Sequence, residues 1–334
     1  QFARLLRSYG APAAALAETT LIFNSFLPAY DEMFQVAIKD FAARIDQESA
    51  GDIKIEIPDS SLAPSDRQYE MVRDGIADMA LVSPGRIPQL VTLNLIGDLP
   101  FSAPTAEAGS VALWETYQTY LAAFNEFEGV KVLSTHVLPG RQILSVSDKV
   151  RVATKEDLAG VKIWAPPGML SREATDLGAV AVNSNFPELQ EYVTKGTVDA
   201  VILTPGSAQG ARITENITSY TTIPGGLGSV SFAVFISEDR WNELTDDQRA
   251  AIERAADGLA RRTGAASDAA EAEALAAMSG VETIEISGEA LAGFTEALVA
   301  QVAAWKEKAV AKGLTNVDEA YDFYQSVLQR ELAN

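Results

Sequence analysis

The chain has 334 residues, 47% of them hydrophobic and 22% charged, with a formal net charge of −20, no cysteine and one histidine. That balance argues against nucleic acid, whose phosphates must be neutralised by Lys and Arg, and against docking on anionic lipid. Without cysteine there is no disulfide, thiol nucleophile or thiolate metal site, and the length suggests two domains with ample chain for a large core and a cleft.

At the N-terminus, Arg4 and Arg7 precede a small-residue stretch ending Ala15-Leu16-Ala17, an A-x-A end before Glu18. Residues 1–18 read either as a leader remnant or as an N-terminal extension. No apolar run reaches the roughly 20 residues that a membrane span needs. Leu21-Ile22-Phe23 predicts a short buried strand, with Asn24 just after it. Residues 31–48 carry helical periodicity, with Met33, Phe34, Ala37, Phe41 and Ile45 on one face. Ile53, Ile55 and Ile57 then alternate with charged residues, as in a half-buried strand.

Ser65-Asp66-Arg67-Gln68 has the pattern of a capping box, in which serine and glutamine satisfy free amides of a first helical turn. The helix it opens is expected to run to Asp74, with Gly75 as a left-handed C-cap. Met79-Ala80-Leu81-Val82 is the next buried strand, and this alternation indicates an α/β layer architecture. Further strands are expected at 130–138, at 161–164 ending in Pro166-Pro167, and at 198–203 ending at Pro205. Ligands favour the carboxyl ends of strands in open α/β sheets.

Residues 230–236 predict a crossing strand. Thr245-Asp246-Asp247-Gln248 is a second capping box, opening an alanine-rich helix to about Met278 with a break or kink near Gly264. Residues 289–312 and 317–332 are expected as two more helices. Gly225-Gly226-Leu227-Gly228 reads as a hinge or cleft-lip loop. His136, alone, cannot build a His-rich metal site and reads as a hydrogen-bonded structural histidine. No Ser-His-Asp pattern, phosphate-binding Gly-rich loop or Asp-rich calcium loop is present. The expectation is therefore no enzyme, no metal and no cofactor.

Several motifs, in order over residues 20–250, resemble the solute-binding proteins of TRAP (tripartite ATP-independent periplasmic) transporters. They are the 41–57 helix and strand, 62–78 with Val72-Arg73-Asp74-Gly75-Ile76-Ala77-Asp78, Leu99-Pro100-Phe101, Gly140-Arg141-Gln142, the 157–167 segment, Glu188, and Gly196-Thr197-Val198-Asp199. The resemblance implies a two-lobed periplasmic-binding-protein fold, type II-like, with crossing strands and a long connecting helix. Lobe I would comprise 19–138, about 231–265 and the C-terminal helices; lobe II would comprise 139–230 and about 266–290. It further implies a periplasmic monomer in a Gram-negative bacterium. Such a protein closes on a small polar molecule and delivers it to a membrane permease.

In that family two arginines usually face the ligand's carboxylate. Arg141 resembles the first, although its interval to residue 164 is slightly long; the second position is Trp164. A bidentate Arg–carboxylate pair is strong and directional, whereas an indole offers one N–H and a flat face. Trp164 reads as a cleft wall or as core packing. Phe186 matches an aromatic ligand contact, Asn24 a polar contact, Asp66 and Arg86 positions that bind polar groups, and Thr204 a position where some members place asparagine. Turn, cap and core roles compete with each of these. Glu188 and Arg172 are reserve candidates: Glu188 starts a helix, where its charge is already favoured, and Arg172 lies on a helix with a solvated face. An organic acid held by Arg141 is the leading ligand class. An amine or neutral polar ligand held by the Trp164 face and a carboxylate (Asp66 or Glu188) is the alternative. An enzyme on a similar two-lobed fold, or a receptor for a signalling partner, are the other classes.

Overall fold

A computed structural model describes residues 19–29, 31–166, 168–184 and 186–333. The leader reading of residues 1–18, and Pro167 of the Pro166-Pro167 pair, lie outside them. Strand β1 (Thr19–Ile22) is followed by π-helical turns over Phe34–Asp40 that run directly into α1 (Phe41–Glu48). Met33, Ala37, Phe41 and Ile45 are buried as their spacing predicts, against Leu21, Phe23 and Ile53. Strand β2 (Ile53–Glu56) pairs in parallel with β1.

Helix α2 (Gln68–Arg73) ends as expected, with Gly75 at φ +74°. Its start differs from the expectation. The residue before the helix is Arg67, without a side-chain cap, and the Ser65–Gln68 capping box does not form. Gln68 is buried and turned inward: its Nε2 donates to Ala63 O at 2.7 Å, and its Oε1 accepts from Asn24 Nδ2 at 2.7 Å. A buried amide with partners on both ends gains more than an exposed one at a helix tip.

Strand β3 (Met79–Val82), α3 (Ala106–Thr116) and β4 (Val130–Val137) follow, then β5 (Gln142–Ser145), β6 (Lys162–Trp164), α4 (Met169–Asp176), β7 (Val180–Val182), α5 (Leu189–Thr194), β8 (Ala200–Leu203), α6 (Pro205–Gly210) and β9 (Ser219–Thr222). Strand β10 (Ser231–Ser237) lies antiparallel between β3 and β4 and is buried along its whole length. Thus the first lobe's sheet runs β3-β10-β4, with β1 joined to it through the parallel bridge Phe23–Met79. The second lobe's sheet runs β11-β9-β5-β8-β6-β7, its β11 (Glu282–Glu285) arriving after three helices, α7 (Glu238–Glu243), α8 (Asp246–Ala256) and α9 (Leu259–Ala277). Helices α10 (Gly288–Ala311) and α11 (Val317–Leu332) complete the chain.

The Thr245–Gln248 capping box forms at α8 with both reciprocal bonds. The expected break near Gly264 falls earlier. It is at Asp257-Gly258, where Gly258 adopts φ +65°, and α9 is continuous through Gly264. Gly264 serves a close approach instead: a Cβ there would stand 2.5 Å from Ala106 O and from Glu107 Cα, so α9 crosses α3 backbone to backbone.

Among the connections that join the lobes, two are bonded to each other. Leu138 N donates to Val230 O (3.0 Å) and Arg141 N donates to Gly228 O (2.8 Å). The glycine run at 225–228 is therefore no lip. It is buried between Phe101 and Gly140, whose backbones would be 2.7 and 2.5 Å from Cβ atoms on Gly225 and Gly226. Helix α9 is a third connection. Asp268 accepts from Ala106 N and Glu107 N at the start of α3 (2.7 and 2.9 Å), and one turn later Glu271 accepts from Gly206 N at the start of α6 (2.9 Å).

Candidate functional site

Strand directions fix where the site lies. In the second lobe β6, β7 and β8 are parallel and β5 runs against β8, so the end of β8 and the start of β5 share one edge. Thr204 follows β8 and Arg141 precedes β5; Leu203 pairs with Gln142. In the first lobe β1 and β3 end on the edge where β10 begins, beside the crossing at Val230. Both carboxyl edges thus meet at the crossings, where ligands are favoured in open α/β sheets.

Arg141 is at the centre of this meeting. It is 7% exposed, and its Nε and Nη1 have no hydrogen-bond partner among the described residues. Burial pulls its guanidinium down to about 10, opposed by Asp98, Glu271 and Glu173. A buried guanidinium without bonded partners is costly, by several kcal/mol, and is retained where something else pairs with it.

Three carboxyl groups surround that cation, and none was singled out from the sequence. Asp98, just before Leu99-Pro100-Phe101, accepts from Ser231 N at 2.7 Å; burial pushes its carboxyl up to about 6. Glu173, on α4, is fully buried, neither oxygen has a partner among the described residues, and burial raises it well above the ordinary range. Glu271, on α9, caps α6 beside the Thr204 hydroxyl and is raised chiefly by burial. One sequence signal was available for Glu173. It shares a helix face with Leu170, Ala174 and Leu177, all buried, so a carboxyl stands on an apolar stripe.

The expected residues fall into two groups. Arg141 and Thr204 are brought together through Glu271. Thr204 also caps α6, its Oγ1 accepting from Ser207 N at 3.1 Å. Arg86 is exposed in the turn after β3, next to Gly85, where a Cβ would be 3.4 Å from Asp98 Oδ2. Phe186 is 43% exposed and its ring centroid is 6.3 Å from that of Trp164, tilted at 60°.

Trp164 itself is in the core and not on a cleft wall. It is 1% exposed, packed with Leu144, Leu189, Val193 and Val201, and its indole N–H donates to Ser184 Oγ at 3.0 Å. The register explains this: Trp164 pairs with Val201, three residues short of Thr204, so the ring sits inside the sheet and below its rim. Asn24 is likewise engaged within its own lobe, donating to Gln68 and Ser61 and accepting from Leu62 N. Asp66 is exposed in the turn before α2, Glu188 is exposed at the start of α5, and Arg172 is exposed on α4. His136 is buried, stacked on Phe232 at 5.5 Å, with Nε2 3.4 Å from Met33 Sδ; burial holds it neutral by pulling it down to about 3.

Among the described residues no group of His, Cys, Asp and Glu is arranged to hold a metal ion, and no helix is long and apolar enough to cross a membrane. What the site offers is a buried cation with Nε and Nη1 unpartnered among the described residues and carboxyl groups around it, with the exposed ring of Phe186 in the same lobe.

Comparison with known proteins gives the family and the fold. Residues 23–308 match the family described as bacterial extracellular solute-binding protein, family 7. The outer membrane transporter protein TsaT of Comamonas testosteroni is 32% identical over 320 residues, covering 94% of either chain. A TRAP periplasmic solute-binding protein from Bordetella bronchiseptica, with bound (R)- and (S)-mandelate, is 25% identical with a TM-score of 0.83 over 93% of this chain and 99% of that one. A TRAP solute-binding protein from a marine metagenome, specific for aromatic acid ligands and in complex with metahydroxyphenylacetate, is 25% identical with a TM-score of 0.79 over 94% and 99%.

Proposed function

We propose that this chain, which belongs to family 7 of the bacterial extracellular solute-binding proteins and is a DctP-like TRAP receptor, captures a small aromatic carboxylate between its lobes. The ligand is then handed to a two-part membrane permease from the periplasm. The observation that carries this reading is Arg141, a buried guanidinium at the inter-lobe crossing with Nε and Nη1 unpartnered. Those donors match a carboxylate, and a charge-assisted pair in a dry cleft is roughly twice as strong as a neutral one. Exposed Phe186, backed by the fixed Trp164 ring, supplies a flat apolar face for the rest of the ligand. Mandelate and metahydroxyphenylacetate, bound by the two similar proteins, each join an acid to an aromatic ring. The position where the resemblance expects a second arginine is Trp164, which leaves Arg141 as the cation for the acid.

A thermal-shift panel tests this reading. A ligand at 100 times its Kd stabilises the folded state by about 2.7 kcal/mol, so benzoate, mandelate and hydroxyphenylacetates should raise Tm by several degrees. Aliphatic amines and neutral aromatics should not.

A second reading has one observation in its favour: Asp98, Glu173 and Glu271 outnumber Arg141 around the same point. Were those acids ionised together, an amine would fit better than an anion. Shifts with amines and none with acids would select it.

A further inference from the structure

Glu173 is a buried acid that no structural role explains. It extends from the first turns of α4, has no exposed surface, and makes no hydrogen bond with either oxygen among the described residues. Its Oε2 lies against the crossing strand: a Cβ on Gly228 would be 3.3 Å from it and 2.9 Å from Asp98 O. Gly228 O also accepts from Arg141 N, so Glu173 and Arg141 flank the same backbone atoms. Yet the two side chains do not bond. Among the described residues Arg141 keeps two donors, and Glu173 two oxygens, without a partner. A buried donor and a buried acceptor that feel each other's charge without bonding, both without a partner among the described residues, are complementary to a third group placed between them.

On the reading that this group is a ligand carboxylate, we propose that Glu173 is a neutral carboxylic acid that donates a hydrogen bond to the ligand acid held by Arg141, so that the ligand binds together with one proton. Balance is simple: the ligand arrives as an anion, one solvent proton resides on Glu173, and the cation–anion pair with Arg141 is left neutral beside a neutral acid. Two carboxylates that share a dry site cannot both stay ionised. Burial favours this outcome, Asp98 and Asp176 add to it, and Arg172 and Arg141 oppose it. From its own helix come Arg172 and Asp176; from the crossing face come Asp98 and Arg141; burial is the largest influence, and it disfavours the charged form. Arg172 is exposed and screened, whereas Asp98 is buried and repels.

The sign follows from linkage. Where Glu173 is already neutral in the free protein, affinity is independent of pH. As pH rises past its free-protein pKa, each further unit costs up to tenfold in affinity, until the pKa in the complex is passed. Burial pushes Asp98 up to about 6, inside the same pH window, so the measurement is made in an Asp98→Asn background.

Binding of benzoate and mandelate is followed by calorimetry from pH 5.5 to 9.5, in paired buffers of different ionisation enthalpy. Proton uptake approaching one per ligand should appear within this window, and Kd should rise at least tenfold across it. Glu173→Gln keeps the donor and cannot titrate. It should bind within threefold of the parent at the acid end, and lose both the uptake and the rise in Kd. Binding with no proton uptake anywhere in the range, or a folded Glu173→Gln protein with the parent's pH profile, would overturn the assignment. Absence of binding by any aromatic acid at any pH would overturn the functional reading along with it.

Discussion

Arg141 and Trp164 show how one position can be legible in sequence while its neighbour is not. The motif Gly140-Arg141-Gln142 brought out the arginine, and the structure puts it at the crossing with free donors. Trp164 stands where a ligand-facing arginine is expected, but strand register sinks the ring beneath the rim, and register is not written in a single strand's residues. The two aromatic residues should therefore respond differently. Trp164→Ala removes a fully buried side chain and should cost about 3–5 kcal/mol of stability, read by denaturant melts. Phe186→Ala should leave Tm nearly unchanged and weaken aromatic-acid binding by about 1 kcal/mol. Equal effects of both on stability would place Phe186 in the core as well. Asp98 and Glu271 escaped notice because an acidic residue in an acidic chain carries no signal by type, and Glu173 gave only its place on an apolar helix stripe. Only their burial distinguishes them, and burial depends on what the other lobe and α9 bring up against them.

At the scale of elements, hydrophobic periodicity and capping patterns were reliable where local chemistry decides the outcome. The Thr245–Gln248 box, the Gly75 C-cap and the buried β3 and β10 strands form as their residues predict. They failed where distant contacts decide. Gln68 leaves its helix tip to bind Asn24, and Gly264 is spent on contact with α3 and makes no kink. Gly264→Ala separates the competing effects. Helix propensity alone would favour alanine by roughly 1 kcal/mol. A Cβ 2.5 Å from Ala106 O, against backbone that cannot swing aside, should cost about 3 kcal/mol and wins. The variant should melt several degrees lower; a rise in Tm would mean that α9 and α3 are not so closely apposed. Asp268→Ala should cost about 1–2 kcal/mol by uncapping α3, although Thr105 still accepts from Ala108 N.

The whole molecule accepts an electrostatic cost for its cleft. Asp98 has a folded-state pKa raised to about 6, against an ordinary value of 3.8. For an acid raised on folding, the native state binds the extra proton, so stability falls as pH rises from about 4 to about 6 and stays low above that. Asp98→Asn keeps an oxygen for Ser231 N and removes the charge. It should stabilise the free protein by up to about 3 kcal/mol at pH 7.5 and by almost nothing at pH 4, in contrast to a salt-bridged acid, whose removal destabilises. Stability is thus given up where three acids and one arginine converge, as is expected of groups kept for binding and not for folding.

The proposed pairing of the Arg141 cation with the carboxylate of an aromatic ligand is tested by calorimetric titration of benzoate or mandelate into wild type and Arg141→Met. Wild type should bind saturably, and a folded Arg141→Met protein should lose at least about a hundredfold, near 3 kcal/mol, because truncating one side of a buried charge pair leaves the other uncompensated. Undiminished binding of the acid by that variant would contradict it.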